Sequence, residues 1–235
     1  AEDLSNFFAA FRKLLEQTST SEKVYQLFII QNVSALLYPL LIRLEARGVL
    51  NDVIPNNGRM TLLDAIETTD LRVYKTRGTD PSKDIFSLSR QAGSVSPTEI
   101  ANRLADFTRW FMDDATFRSR LGQDVYENAG VNRMLMEYEI QTRKMLRMSA
   151  PTIAELAVMV AEEQTIEHIL PQSPNFGFPS YGYETVEDYD LNKDRFGNLT
   201  LLEKHLNSRC QNQSVQQKIQ LQQLYRQSKY QMTLA

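Results

Sequence analysis

Thr165-Ile166-Glu167-His168-Ile169-Leu170-Pro171-Gln172 decides how the second half of this chain folds, because a β-prone run carries an acid and a histidine into a proline that must end it. The pattern predicts a strand from Thr165 to Leu170. If the run is extended, Glu167 and His168 point to opposite faces. Downstream, Gly197-Asn198 is a turn signal that opens a second β-prone run, Leu199-Thr200-Leu201-Leu202, which passes directly into Glu203-Lys204-His205-Leu206-Asn207, a helix start. Strand, loop, strand, helix is the order implied.

These residue types suit phosphodiester hydrolysis, which needs a base to take a proton from water and a hard cation to hold charge on the leaving oxygen. His168 is the candidate base, since an unperturbed imidazole titrates near ~6.5. Glu167 and the amide oxygen of Asn207 are the candidate ligands of one Mg²⁺ (or Mn²⁺), a cation that prefers oxygen and keeps several waters. Asn198, at the turn, can tie the connecting loop to the strand.

At Glu167-His168-Ile169-Leu170-Pro171, Asn198 and Asn207 the chain resembles the HNH, or His-Me finger, nucleases, whose ββα-metal motif carries an acid-His pair with a following Pro, a mid-motif Asn and a helix Asn. More narrowly, His-Ile-Leu-Pro-Gln and Gly-Asn-Leu-Thr-Leu-Leu look like the C-terminal nuclease domain of GmrSD-type and SspE-type restriction proteins. The resemblance is specific over Thr165 to Lys218 and looser over the helical remainder, at Leu71 to Arg77 and Asn132 to Leu135. It implies a metal-dependent DNA endonuclease that nicks DNA as part of modification-dependent restriction and anti-phage defence, with His168, Asn198 and Asn207 as catalytic residues. DNA is the implied partner, contacted by Lys204, Arg209 and Lys218. In that family a nucleotide-hydrolysing, ParB-like domain precedes this one. Many HNH enzymes carry Asp or His at the position of Glu167, and many bind a structural zinc through two Cys-x-x-Cys pairs. Cys210 is the only cysteine here, so a four-cysteine zinc site is impossible and no zinc is expected.

The 235 residues suit one large domain or two ordinary ones, and two are expected: a helical domain over residues 1–150 and an HNH-type ββα-metal domain over residues 151–235, parted at Met148-Ser149-Ala150-Pro151. The fold class is mainly α, with supporting helices around the ββα unit. Composition is that of a globular protein, and no apolar run approaches the ~20 residues of a membrane span. A lone cysteine fits a reducing cytoplasm. The formal charge of −3 argues against a nonspecific nucleic-acid coat protein, yet from Phe196 to Ala235 the only acid is Glu203, set against Lys204, Arg209, Lys218, Arg226 and Lys229. Neither a Gly-x-x-x-x-Gly-Lys-Ser/Thr loop nor a Gly-x-Gly-x-x-Gly is present, which disfavours nucleotide hydrolysis. The chain opens at Ala1 without a methionine and is taken as a fragment.

Apolar residues at helical spacing predict helices from Leu4 to Leu15, from Ser21 to Arg47 with a kink at Pro39 and a stop at Gly48, and from Met60 through Tyr74 toward Gly78. Ile54 to Gly58 is a turn. Arg72, Lys75 and Arg77 are either a dipole-compensating helix end or a phosphate-facing patch. Ser96 caps a helix with Ile100, Leu104, Phe107, Trp110 and Phe111 on its buried face; Trp110 is expected in the core, with base stacking the alternative. Further helices are expected from Val131 to Leu146, from Ile153 to Ala161 and from Gln211 to Gln223. A core histidine is the plain alternative for His168, and a surface cation for Arg209 or Lys218. His205, two residues from Asn207, faces another side of its helix and is given no role. The rival to a nuclease is a non-catalytic helical adaptor or DNA-binding module serving the preceding domain.

Overall fold

The computed structural model describes the whole chain except residues 1, 56, 57, 162, 163, 222 and 235, so part of the turn expected at Ile54 to Gly58 lies outside the described residues. The fold is mainly helical. In chain order the α-helices are α1 (Glu2–Gln17), α2 (Glu22–Tyr25), α3 (Tyr38–Ala46), α4 (Leu62–Thr69), α5 (Lys83–Gln91), α6 (Pro97–Phe111), α7 (Asp114–Leu121), α8 (Val131–Met145), α9 (Ile153–Ala161), α10 (Val186–Asp190), α11 (Lys204–Cys210) and α12 (Gln231–Leu234). The strands are β1 (Thr165–His168) and β2 (Leu199–Leu202). Packing divides the chain into Ala1–Phe117 and Arg118–Ala235.

In the first unit α1 packs on α3 and α4 packs on α6, around Leu14, Leu37, Leu41, Leu62, Ile66 and Leu104. On α1 the expected stripe is only half used: Leu14 is buried with Phe7 and Phe11 beside it, while Leu4, Phe8 and Leu15 face solvent. The single helix expected from Ser21 to Arg47 is two. Its chain passes from α2 into a π turn, leaves helix at Asn32 (φ 52°), and re-enters at α3 with Pro39 in the first turn, where the missing N–H costs nothing. The break is held by buried Asp70, which accepts from Gln31 Nε2 at 2.7 Å and from the Ser34 main chain at 2.8 Å. Gly48 (φ 70°) and Gly78 (φ 71°) end their helices as expected, in the left-handed region that favours glycine.

The late cations of the α4 segment have local partners. Arg72 pairs with Asp114 at 2.6 Å and lies over the Phe117 ring, Lys75 donates to the Asn32 carbonyl, and Arg77 donates to the Phe111 carbonyl. Trp110 departs from expectation, being 84% exposed. At 3.6 residues per turn Ile100, Leu104, Phe107 and Phe111 cluster within about 30° of one line along α6, whereas Trp110 falls about 90° away from it.

In the second unit β1 and β2 are antiparallel, with Thr165 opposite Leu202 and His168 opposite Leu199. Helix α11 packs on β1, and α8 and α12 pack on β2. Buried Glu139 of α8 accepts from Arg143 Nε at 2.7 Å and from the Met232 main chain at 2.8 Å, which ties α8 to α12. Helix α8 therefore packs with the sheet, on the C-terminal side of the packing division at 117/118; the sequence break at Met148 to Pro151 suggested a division at 150/151. The long helix expected from Gln211 to Gln223 is a short π segment, Gln217–Leu221. Among the described residues no helix is long and apolar enough to cross a membrane.

Candidate active site

Strand β1 ends at His168, and the residues after it are held by one more main-chain bond and then by side chains. The Ile169 N–H donates to the Asn198 carbonyl at 2.9 Å. Asn198 Oδ1 accepts from the Leu170 main chain at 2.7 Å, and its Nδ2 donates to the carbonyls of Leu170 at 3.1 Å and Lys193 at 2.7 Å. Tyr189 Oη donates to the Pro171 carbonyl at 2.6 Å. Lys218 Nζ donates to the carbonyls of His168 at 2.7 Å and Ile169 at 3.4 Å. From the His168 carbonyl to the Pro171 carbonyl, every main-chain donor and acceptor is therefore occupied. Asn198, expected to tie the loop to the strand, does so with the whole of its amide.

The His168 ring lies on one face of β1. Its Nε2 is 2.7 Å from Asp194 Oδ1, and the Tyr126 ring centre is 4.5 Å from its own. A carboxylate can only accept here, so Nε2 is the donor and Nδ1 is the nitrogen left to accept a proton. Two segments far apart in sequence are clipped together to build this face: Asp124 bridges to Arg195, and the Val125 N–H donates to the Asp194 carbonyl at 3.0 Å. Burial, at 6% exposure, lowers the imidazole pKa below its ordinary value; Asp194 opposes that shift, while the charges of Lys218 and Lys193 add to it. Burial thus favours the neutral ring, the state a base requires.

Glu167 lies on the other face, and there the expectation needs correcting. Its carboxylate is 4% exposed, pairs with Lys218 Nζ at 2.6 Å, and accepts from Tyr225 Oη at 3.2 Å and from the Cys210 thiol. Burial raises its pKa, opposed by the Lys218 ammonium and by those hydrogen bonds. Glu167, expected to bind Mg²⁺, and Lys218, expected to grip DNA, are instead each other's partners in a sealed layer. Lys218 has no exposed surface from which to reach a phosphate.

Asn207, on α11, meets the start of β1. Its Nδ2 donates to Thr165 Oγ1 at 2.7 Å and to the Ile166 carbonyl at 3.1 Å, and among the described residues its Oδ1 accepts no hydrogen bond. It lines an open hollow of about 400 Å³ with Tyr126, Glu127, Asn132, Gln164, Thr165 and Ile166. Of the oxygen pair expected to hold Mg²⁺ only this neutral amide oxygen stays open, too small a donor set for a cation that takes one or two carboxylates. Among the described residues no three His, Cys, Asp or Glu side chains are grouped to hold a metal ion. The expected pair does not fit the cation, and no step is assigned to one. Lys204 and Arg209 of α11, expected to meet DNA, have exposed side chains, as do Arg226 and Lys229, whereas Lys218 is buried.

The structure brings His168 and Asn198 to the same end of β1, and it adds Asp194, Tyr126 and Tyr225, which the sequence did not single out. Nothing local marks these three, since each reaches the site through a contact distant in sequence. Residues 111–235 match the family described as GmrSD restriction endonucleases, C-terminal domain. No curated protein and no solved structure matches the chain.

Proposed function

The chain belongs to the GmrSD restriction endonucleases, whose C-terminal domain it carries over residues 111–235, and from that premise we propose that it is a DNA endonuclease of the HNH type in which His168 is the general base. The observation that carries this reading is the His168–Asp194 contact, which fixes Nε2 as the donor and leaves Nδ1 as the proton acceptor. In the step proposed, a water gives a proton to Nδ1 as its oxygen bonds to phosphorus, the bond from phosphorus to the 3′ oxygen breaks, and that oxygen takes a proton from solvent. One strand is cut per site. The products carry 5′-phosphate and 3′-hydroxyl ends. Asp194 orients the ring and steadies the imidazolium that forms, as a carboxylate does beside other catalytic histidines.

In this reading β1, β2 and α11 are the ββα unit, and α11 turns Lys204 and Arg209 toward the phosphates, whose contacts carry most of the binding. The helical region before residue 111 is the part that precedes the nuclease in this reading. A ParB-like nucleotide-hydrolysing domain is the proposed partner, and restriction of phage DNA in the cytoplasm the proposed role. Mg²⁺ or Mn²⁺ remains the proposed cofactor without a residue assigned to it beyond Asn207.

The test is plasmid nicking in Mg²⁺ and in Mn²⁺, with His168→Ala run alongside. Nicked circles should accumulate before linear DNA, ligase should reseal them, and the variant should not cut. A His168→Ala protein that cuts at the wild-type rate would refute the reading, and a wild-type protein that binds DNA without cutting it in either metal would leave the adaptor in its place.

A further inference from the structure

A buried ion pair is a costly element, since removing both charges from water is repaid only by good geometry, and apolar residues of similar volume often do as well or better. One stands directly behind the proposed base, with Glu167 beside Tyr225 and Cys210 of the apolar cluster that also holds Leu202, Leu206 and Leu224. Stability alone does not explain it.

The hydrogen bonds do. An ammonium has three donors, and those of Lys218 reach Glu167 Oε1 at 2.6 Å, the His168 carbonyl at 2.7 Å and the Ile169 carbonyl at 3.4 Å. Two of the three go to the main chain where the ladder stops, because His168 opposite Leu199 is the last pair of the sheet. No apolar side chain can take that place. Glu167 in turn holds the ammonium, and is itself held by Tyr225 and Cys210.

We propose that Glu167 and Lys218 are a positioning pair for the base, fixing the main chain at His168 and Ile169 from the face of β1 opposite the reaction. The inference rests on His168 being that base. Reactive geometry is sensitive to such support: a displacement of about 1 Å can cost about 10²-fold in rate.

The test uses the full chain with Glu167→Leu and Lys218→Met combined, which removes both charges and leaves apolar volume behind. Melting temperature, affinity for a short DNA duplex and the single-turnover cleavage rate are measured on it, on the wild type and on His168→Ala. The double variant should melt cooperatively within a few degrees of the wild type, bind DNA as tightly, and cleave about tenfold or more slowly, in keeping with a partial loss of alignment. A folded double variant that cleaves at the wild-type rate overturns the proposal and marks the pair as packing. Should the double variant not fold, Tyr225→Phe takes its place, removing only the phenol donor from Glu167; a slower rate constant at unchanged affinity supports the pair, and the wild-type rate overturns it. If His168→Ala itself cleaves normally, the failure lies in the assignment of the base and not in the pair.

Discussion

The two faces of β1 make the sharpest contrast in this molecule. Glu167 and His168 are neighbours in sequence, both titratable and both nearly buried. Yet Glu167 meets an ammonium, a phenol and a thiol in a closed layer, while His168 meets a carboxylate and an aromatic ring brought in by two loops. A strand of period two separates adjacent side chains by its own thickness. An acid-histidine pair in sequence is therefore two separate environments in space, and a shared metal site cannot be assumed from adjacency.

Breaking the closed face should have the largest effect. Glu167→Gln leaves the Lys218 charge buried without its counterion and should cost about 3–5 kcal/mol of stability, measured by urea unfolding. The dependence of residual cleavage on Mg²⁺ concentration should stay where it was; a shift in its midpoint would return Glu167 to the cation. On the other face His168→Ala should slow cleavage by about 10²-fold, equivalent to about 2.7 kcal/mol of barrier, with DNA affinity unchanged in a binding titration. Asn198→Ala, at the hinge between the faces, strands the Leu170 N–H and should cost about 1–3 kcal/mol in the same unfolding measurement.

The smallest effect expected is a movement in pH. A base works only when neutral, so cleavage should rise through the His168 pKa and level off, with the rise on the acid side of the ordinary imidazole value because burial disfavours the charged ring. Asp194 favours the imidazolium, and Lys218 and Lys193 disfavour it. Asp194→Asn removes the favourable charge, so the rising limb should move to lower pH while the plateau falls. A limb that moves to higher pH would mean that Asp194 is not the group controlling the ring.

What was legible in the sequence follows the same division. β1, β2, the Gly197-Asn198 turn and the start of α11 were readable because each is set by local chemistry: β-branched and leucine runs, a glycine before an asparagine, and a switch from an apolar run to Glu203-Lys204-His205. The Asn198 role was readable for the same reason. The fates of Glu167 and Lys218 were not, since the charge run at the C-terminal end looks like a solvated basic surface until Lys218 is seen at 0% exposure beneath β1. Asp194 was hidden among other loop acids, and only the clip between Val125 and Asp194 singles it out. Trp110 shows the same limit in reverse, an apolar residue on an apolar helix that falls just off the buried stripe.

Cys210 is the only cysteine of the chain, fully buried on the last turn of α11, with its thiol pKa pushed up to about 12 by burial and by the Glu167 charge. A thiol so protected is inert to alkylation in the closed protein, since the thiolate is the reactive species. Its modification must wait until α11 lifts from β1 and lets water and reagent in. The labelling rate of unmodified protein is thus a native clock for the opening of one helix, the helix that also carries Asn207.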